Sequence, residues 1–206
     1  MFLTNEEYAM TTKMVAMVGG GLVLAGALMT AACSESSAQA SPASDPAKAA
    51  RGAYLVTVGG CNDCHTPLKM GPKGPEPDMS RMLSGHPEQF VIAAPTKLAS
   101  PEWLAAIAAT GTAHSGPWGV SFTANLTPDE NTGLGIWTEE MFIKAIRTGR
   151  HRGASREILP PMPWPNYARM TDDDLKAVYA YLRSIPAVHN RVPDPLPPAG
   201  APTPTN

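Results

Sequence analysis

The sequence predicts a small all-α domain with few helices and long loops. Three segments carry apolar residues at spacings of three and four positions, which is the repeat of an amphipathic helix. The 206 residues also include 22 prolines and 18 glycines, and these concentrate in the loops and at the ends. Hydrophobic residues make up 43% of the chain, enough for one core, and a formal net charge of -2 gives no indication of nucleic-acid binding.

The three segments are predicted to be the N-terminal, middle and C-terminal helices of the domain. The first spans residues 47–58. The middle helix begins after Thr138, a good N-cap, and ends at Gly149. The C-terminal helix begins after Thr171, with three aspartates in the first turn, where the helix dipole favours negative charge. It stops before Pro186.

Residues 61–65 form the most informative motif, CNDCH. The thiols of Cys61 and Cys64 are spaced to add to the two vinyl groups of a heme, and His65 then falls against the iron. The motif predicts one covalent heme c with His65 as an axial ligand. A redox dithiol is one alternative, but that motif favours a preceding strand, and a helix is predicted here. A structural zinc site is another, but it needs four ligands, and Cys33 is the only further cysteine.

Met162 is the predicted sixth ligand of the iron. It lies within residues 158–165, ILPPMPWP, about a hundred residues after the motif. Prolines fix φ and remove donors, so this loop holds its side chain in one place. A thioether on a rigid loop is typical of an electron-transferring heme. A methionine that only fills the core is the alternative for Met162, and His86, His114 or His151 are the alternative ligands.

These motifs together resemble a class I cytochrome c. More narrowly, they resemble one heme module of the cytochrome c subunits of membrane-bound alcohol and aldehyde dehydrogenases, which usually carry several modules where this chain has one CxxCH. The resemblance covers residues 47–192 and implies the cytochrome c fold, with few helices around a covalently bound heme and long loops. It rests on Gly52, the CNDCH motif, NLTPD at 125–129, GLGIWT at 133–138, PMPWPNY at 161–167, TDDDL at 171–175 and YAYLR at 179–183.

The resemblance also implies two packing roles. Gly52 is expected to admit Tyr179 or Tyr181 where the terminal helices cross, although a glycine that merely eases the helix start is the simpler reading. Trp137 is expected to donate its indole N–H to a heme propionate. A core aromatic that is bonded elsewhere is the alternative for this tryptophan.

The segment 66–124 is longer and richer in loops than in the smallest cytochromes. One short helix is predicted in it, at residues 101–109. The segment is expected to cover a heme edge or to meet a partner. A carbonyl from the loop 70–77 is expected to accept the ring N–H of His65. His86 is expected in a turn, facing either solvent or the heme.

Five permanent cations lie within thirteen residues of the middle helix and the loop after it. A solvated face, neutralisation of heme propionates and a docking patch for an acidic redox partner are the three uses considered. In similar cytochromes this side lies near the exposed heme edge. The five are Lys144, Arg147, Arg150, Arg152 and Arg156.

The N-terminal part is predicted to be a signal peptide of the lipoprotein type, residues 1–33. An apolar run at 14–29 precedes small residues and Cys33, the predicted lipidation site. Ordinary cleavage after the 38–40 box and an uncleaved helical anchor are the alternatives. The protein is thus expected to be exported to the periplasmic side and anchored to the membrane. Three parts follow: a flexible Ser/Ala/Pro tether at 34–46, the cytochrome domain at 47–192 and a Pro-rich C-terminal tail at 193–206.

The predicted function is electron transfer by a mono-heme cytochrome with His65 and Met162 as ligands, without substrate chemistry of its own. The expected partners are membrane-associated redox proteins. A dehydrogenase or a quinol-oxidising complex is expected as donor, and a terminal oxidase or another cytochrome as acceptor. A heme enzyme or gas sensor with an open sixth position is the alternative, as is a cytochrome subunit fixed within a larger respiratory complex.

Overall fold

The computed structural model describes residues 45–98 and 100–201. The predicted signal peptide with Cys33, and residues 34–44 of the predicted tether, lie outside the described residues. None of the helices in the described ranges is long and apolar enough to cross a membrane. These helices are α1 (Pro46–Val58), α2 (Cys61–His65), α3 (Glu139–Thr148), α4 (Trp164–Tyr167) and α5 (Asp172–Ser184), with 3-10 turns at Met79–Arg81 and His151–Gly153.

The three predicted helices are present, with ends that follow the predicted caps. α3 follows its N-cap Thr138 and is closed by its C-cap Gly149, whose φ of 65° is a left-handed conformation that favours glycine. α5 follows its N-cap Thr171, whose side chain accepts a hydrogen bond from the backbone N–H of Asp174. α1 begins one residue earlier than predicted, at Pro46, because proline fits the first turn of a helix.

Helices α1 and α5 cross at Gly52. A Cβ atom at this position would lie 2.0 Å from the carbonyl oxygen of Ala177 and 2.7 Å from the Cβ of Tyr181. Only glycine allows this approach, so the predicted contact between Gly52 and Tyr181 is confirmed. Tyr179 is placed elsewhere, and its hydroxyl donates to the backbone carbonyl of Trp137 at 2.6 Å.

The main hydrophobic core is built from α1, α3, α5 and the loops between them. Burying one large apolar side chain stabilises the fold by about 1.5–3 kcal/mol, so this cluster supplies much of the stability. Cys61 and Trp137 are partly buried and pack against it. The CNDCH motif therefore starts at the edge of the core. The buried members are Val56, Leu83, Leu134, Phe142, Leu182 and Ile185.

The all-α prediction is wrong, because the segment 66–124 contains two small antiparallel sheets. In one sheet β1 (Leu68–Gly71) pairs with β2 (Gly74–Pro77). In the other, β3 (Ala106–Ile107), β4 (Ala113–Gly116) and β5 (Gly119–Phe122) lie in the order β3-β4-β5.

The helix predicted at 101–109 is absent, because part of that segment forms β3. Ile107 lies opposite His114 of β4, so the strand beside it supplies hydrogen bonds that a helix would have made internally. The turn from β4 to β5 needs Gly119, whose φ is 93° and where a Cβ atom would lie 2.0 Å from the Leu196 carbonyl oxygen.

A second core covers one face of the sheet that contains β4 and β5. Its buried residues are Ala113, Val120 and Phe122. Leu196, within the segment expected to be a tail, makes two backbone hydrogen bonds with Val120, at 2.9 and 3.0 Å. Because side chains alternate along a strand, His114 and its cross-strand partner Ser121 occupy the opposite face of this sheet.

Candidate heme site

The short helix α2 carries the three residues of the predicted attachment site. The thiols of Cys61 and Cys64 are free and half-buried, and His65 is 8% exposed. The Nδ1–H of His65 donates to the backbone carbonyl of Ala124 at 2.8 Å. The prediction that the acceptor lies in the loop 70–77 is therefore wrong. The hairpin of β4 and β5, which the sequence analysis missed, brings residue 124 to the ring.

The surroundings of α2 set the protonation of these groups. Burial lowers the pKa of His65, the hydrogen bond to Ala124 opposes this, and the charge of the nearby His114 ring lowers the pKa further. The imidazole is thus neutral at neutral pH, with Nδ1 protonated and the lone pair of Nε2 free to bind a metal. Burial raises the pKa of Cys61 to about 11 and also raises that of Cys64.

These pKa directions bear on the alternative interpretations of the motif. A redox dithiol depends on a thiol of lowered pKa, whereas burial here raises the pKa of both thiols. A zinc site needs a cluster of ligands. Among residues 45–98 and 100–201, no three His, Cys, Asp or Glu side chains are grouped so that they would hold a metal ion. Two thiols beside one neutral imidazole fit a c-type heme better than either alternative.

The loop that carries Met162 is held by a hydrogen bond on each side. On one side, the hydroxyl of Ser121 in β5 donates to the carbonyl of Pro160 at 2.5 Å. On the other side, the hydroxyl of Tyr167 in α4 donates at 2.6 Å to the carbonyl of Gly59, which lies two residues before α2. Met162 itself is partly buried. The loop is therefore held between the sheet and the start of the CNDCH motif.

The three histidines considered as alternative ligands lie in different environments. His86 is fully buried, and its two ring nitrogens are paired with the hydroxyl of Thr112 at 2.9 Å and the carbonyl of Phe90 at 2.8 Å. His151 lies in a 3-10 turn and packs edge-on against Trp137, with ring centroids 5.1 Å apart. His114 is buried, and its Nδ1 has no hydrogen-bond partner in the described part of the chain.

Trp137 packs against the main core as well as against His151. Its indole N–H makes no hydrogen bond with any other described residue, and its backbone N–H donates to the carbonyl of Leu134 at 3.0 Å. The predicted bond from the indole to a propionate therefore stays a prediction.

The five cations separate into two groups. Arg147 donates to the carbonyl of Ala168 and pairs with Asp172 at 2.5 Å, and Arg150 pairs with Glu157 at 3.3 Å. Arg147 thus joins α3 to the start of α5, and Arg150 pairs within its own loop. The remaining three are exposed and form no ion pair with a described residue: Lys144, Arg152 and Arg156.

Ala124 and Ser121 were not named in the sequence analysis, and the contacts of His114 and Tyr167 were not foreseen there. Ala124 acts through its backbone carbonyl, which every residue has, so the residue type at this position does not reveal the role. Ser121 and His114 share a face that is known only once the register of β4 and β5 is known. The one usable signal was the turn sequence GPWG at 116–119, which is typical of a hairpin. Tyr167 belongs to the PMPWPNY motif, but no contact with Gly59 was foreseen.

Comparison with known proteins gives the same family. A model of the cytochrome c family matches residues 49–186. The cytochrome c subunit of the quinone alcohol dehydrogenase of Gluconobacter oxydans (strain 621H) is 31% identical over 186 residues, which are 88% of this chain and 31% of that subunit. The fructose dehydrogenase cytochrome subunit of Gluconobacter japonicus is 32% identical over 132 residues, 64% of this chain and 20% of that subunit. The gluconate 2-dehydrogenase cytochrome c subunit of Pantoea cypripedii is 42% identical over 65 residues, 32% of this chain and 14% of that subunit.

The matched parts make up less than a third of the length of each of these relatives. The resemblance to the cytochrome c subunits of alcohol dehydrogenases is confirmed. The matched region includes the motif at 61–65, whose CxxCH pattern fits covalent attachment of heme c. Together these observations show that the chain belongs to the cytochrome c family and has the domain of an electron-transfer protein.

Proposed function

We propose that the chain is a mono-heme electron carrier in which His65 and Met162 are the axial ligands of the iron. The neutral ring of His65 carries the proposal, because its Nδ1–H is bonded to Ala124 and its Nε2 lone pair is left free. A heme bound here would gain and lose single electrons and would be attached through thioethers to Cys61 and Cys64.

The protein's own part is to hold the two ligands. The hydrogen bond to Ala124 fixes the plane and tautomer of His65 and makes Nε2 more basic. The bonds from Ser121 to Pro160 and from Tyr167 to Gly59 restrain the loop around Met162. A restrained thioether gives the iron the same surroundings in both oxidation states, which suits electron transfer.

The relatives support a further part of the proposal. They are cytochrome subunits of alcohol, fructose and gluconate dehydrogenases, so we infer that this chain accepts electrons from a dehydrogenase or a quinol-oxidising complex. It would pass them to a terminal oxidase or another cytochrome. Export to the periplasmic side and a lipid anchor on Cys33 complete this proposal, and they rest on the N-terminal sequence alone.

Replacement of Met162 tests the ligand assignment. Met162→Ala should leave an open position, so that the ferrous protein binds carbon monoxide rapidly, whereas Met162→His should stay low-spin with a lower midpoint potential. The matched control is Met82→Ala, since Met82 is also partly buried and packs against the main core. If wild type and Met162→Ala bind carbon monoxide equally fast, the sixth position is open and the electron-carrier proposal fails.

The covalent bond is tested separately. Heme staining should stay with the polypeptide on a denaturing gel after extraction with acidic acetone, because thioethers survive denaturation. Replacing both Cys61 and Cys64 by serine should abolish the stain. A stain that persists in this double variant, or more than one heme per chain, would contradict attachment at the CNDCH motif.

A further inference from the structure

His114 is a buried polar residue whose Nδ1 has no partner among residues 45–98 and 100–201. The residue is 5% exposed, and its Nδ1 is buried without a hydrogen bond from or to any described residue. Buried polar atoms almost always have a partner, so such an atom points to a group that fills the space beside it in the working protein. His86 shows the contrast, since both of its ring nitrogens are paired.

The register of β4 and β5 shows which way this part of the sheet faces. His114 lies directly opposite Ser121, so their side chains project from the same face. The hydroxyl of Ser121 bonds the carbonyl of Pro160, two residues before Met162. That face is therefore directed at the loop of the proposed sixth ligand, and the opposite face packs against the second core.

The same hairpin also reaches the other proposed ligand. Ala124, three residues after Ser121, accepts the ring N–H of His65. His114 is close enough to His65 for the charges of the two rings to interact. The hairpin thus runs from the His65 side of the site to the Met162 side, and His114 lies opposite Ser121, at the Met162 end of this span.

The chemistry of a c-type heme leaves few partners for this nitrogen. Its polar groups are the iron and two propionate carboxylates. The two axial positions of the iron are assigned to His65 and Met162. A carboxylate is the remaining acceptor, and a neutral imidazole with a proton on Nδ1 is a suitable donor.

We propose that His114 contacts the heme and that its Nδ1–H donates a hydrogen bond to a propionate. This inference rests on the proposed function, because it requires a bound heme whose axial positions are filled. His114 is then a positioning residue that fixes the heme edge to the β4–β5 hairpin. It was considered from the sequence only as a possible iron ligand, and the propionate role differs from that.

Substitutions at His114 test the proposal through a vibration of the propionate. His114→Leu should shift the propionate-bending band in the resonance Raman spectrum of the ferrous holoprotein. His114→Asn should restore the band, because the asparagine amide places an N–H close to the position of Nδ1. The matched control is Ser115→Ala, on the same strand but the opposite face, and it should leave the band unchanged.

A measurement on the wild type keeps the proposal testable if the leucine variant does not fold. In the diamagnetic ferrous protein, the Nδ1 proton of His114 should show a nuclear Overhauser contact to the methylene protons of a propionate. The absence of that contact, or an unchanged Raman band in His114→Leu, would overturn the proposal.

Two further results separate this proposal from the function on which it rests. Heme content and the sulfur-to-iron charge-transfer band of the wild type report the proposed function directly, whereas the propionate band reports the role of His114. If Met162→Ala remains low-spin and becomes high-spin only when His114 is also replaced, His114 is a reserve iron ligand and the propionate assignment is wrong. If the wild type binds no covalent heme, both proposals fall together.

Discussion

The ring of His65 and the carbonyl of Ala124 are joined by a 2.8 Å hydrogen bond, although the two residues are 59 positions apart in the chain. This bond makes the orientation of the proposed iron ligand depend on the hairpin of β4 and β5. It also gives the small sheet beside the CNDCH motif a role in the site. The sheet supplies a rigid acceptor for His65 and a fastening point for the Met162 loop.

Gly85→Ala should weaken this arrangement. A Cβ on Gly85 would lie 2.4 Å from the Thr123 carbonyl oxygen and 2.6 Å from the carbonyl carbon of Ala124, at a φ of 77°. Backbone strain of about 1–2 kcal/mol and overpacking of about 1–3 kcal/mol should add, lowering the free energy of unfolding by urea and the yield of mature heme protein.

Gly74→Ala is the matched control for this change. Gly74 also has a positive φ, 117°, but its Cβ would meet nothing within 4 Å. Only the backbone strain should remain. Equal losses of unfolding free energy in the two variants would show that the close contact between Gly85 and residues 123–124 does not add to the cost of the substitution.

His86 should make the stability of the protein depend on pH. Burial lowers its pKa, and the hydrogen bond to the Phe90 carbonyl only partly opposes this. In the unfolded chain the ring regains its ordinary pKa of about 6.5, so the unfolded state binds more protons at mildly acidic pH. This contribution to stability is complete above about pH 6.5 and is lost as the pH falls below that value.

His86→Asn tests this pH dependence. Loss of the bonds to Thr112 and Phe90 should cost about 1–3 kcal/mol at neutral pH. The slope of the unfolding free energy against pH, measured by urea titration, should become shallower below neutrality. A variant that loses stability but keeps the wild-type slope would show that His86 is not one of the groups responsible.

Part of this architecture follows directly from the sequence. The spacing of apolar residues and the caps Thr138 and Thr171 located the long helices, because these signals are local. The strands β3 to β5 have two to four residues each, too few for a periodic signal, and their hydrogen bonds come from distant segments. The contact of Gly52 with Tyr181 came from the family resemblance rather than from periodicity.

The residues of the site likewise divide into those visible in the local sequence and those that depend on strand pairing. Cys61, Cys64 and His65 are adjacent in the chain, so their chemistry is visible in the sequence. Ala124 and His114 enter the site through strand register, and a one-residue change of register would turn His114 toward the second core. Such roles cannot be assigned before the pairing of the strands is known.

Cys33 is predicted to carry the lipid anchor. Two or more acyl chains give stable membrane attachment where one is marginal. Cys33→Ser should lose incorporation of labelled fatty acid and move to the soluble fraction, while covalent heme at Cys61 and Cys64 is retained. An intact mass that places the mature N-terminus at Ser41 would rule out lipidation of Cys33.

The exposed cations Arg152 and Arg156 are predicted to guide an acidic partner to the heme. Exposed charges act mainly on the encounter and are screened beyond about 8 Å at physiological salt. Reversing both to glutamate should slow bimolecular electron transfer about threefold to tenfold at low ionic strength, with a difference that shrinks as salt is added. Stopped-flow kinetics with the physiological acceptor measure this rate.

The control for this pair reverses the exposed Lys73 and Lys97, which changes the net charge equally. This control should slow electron transfer less than the change at Arg152 and Arg156. If the control slows transfer as much as the change at Arg152 and Arg156, docking depends on the segment 67–122 or on net charge, and the cations after α3 are a solvated face. The potential and spectrum of the heme should be unchanged in both variants.

The ligation of the iron by His65 and Met162 is tested most directly by the long-wavelength visible absorption spectrum of the ferric wild-type protein. A sulfur ligand gives a weak charge-transfer band at the red edge of the visible spectrum. We expect this band in the wild type and in Met82→Ala, and its loss in Met162→His. Absence of the band from the wild type, together with rapid binding of carbon monoxide by its ferrous form, would contradict the assignment of Met162 and favour a heme protein with an open sixth position.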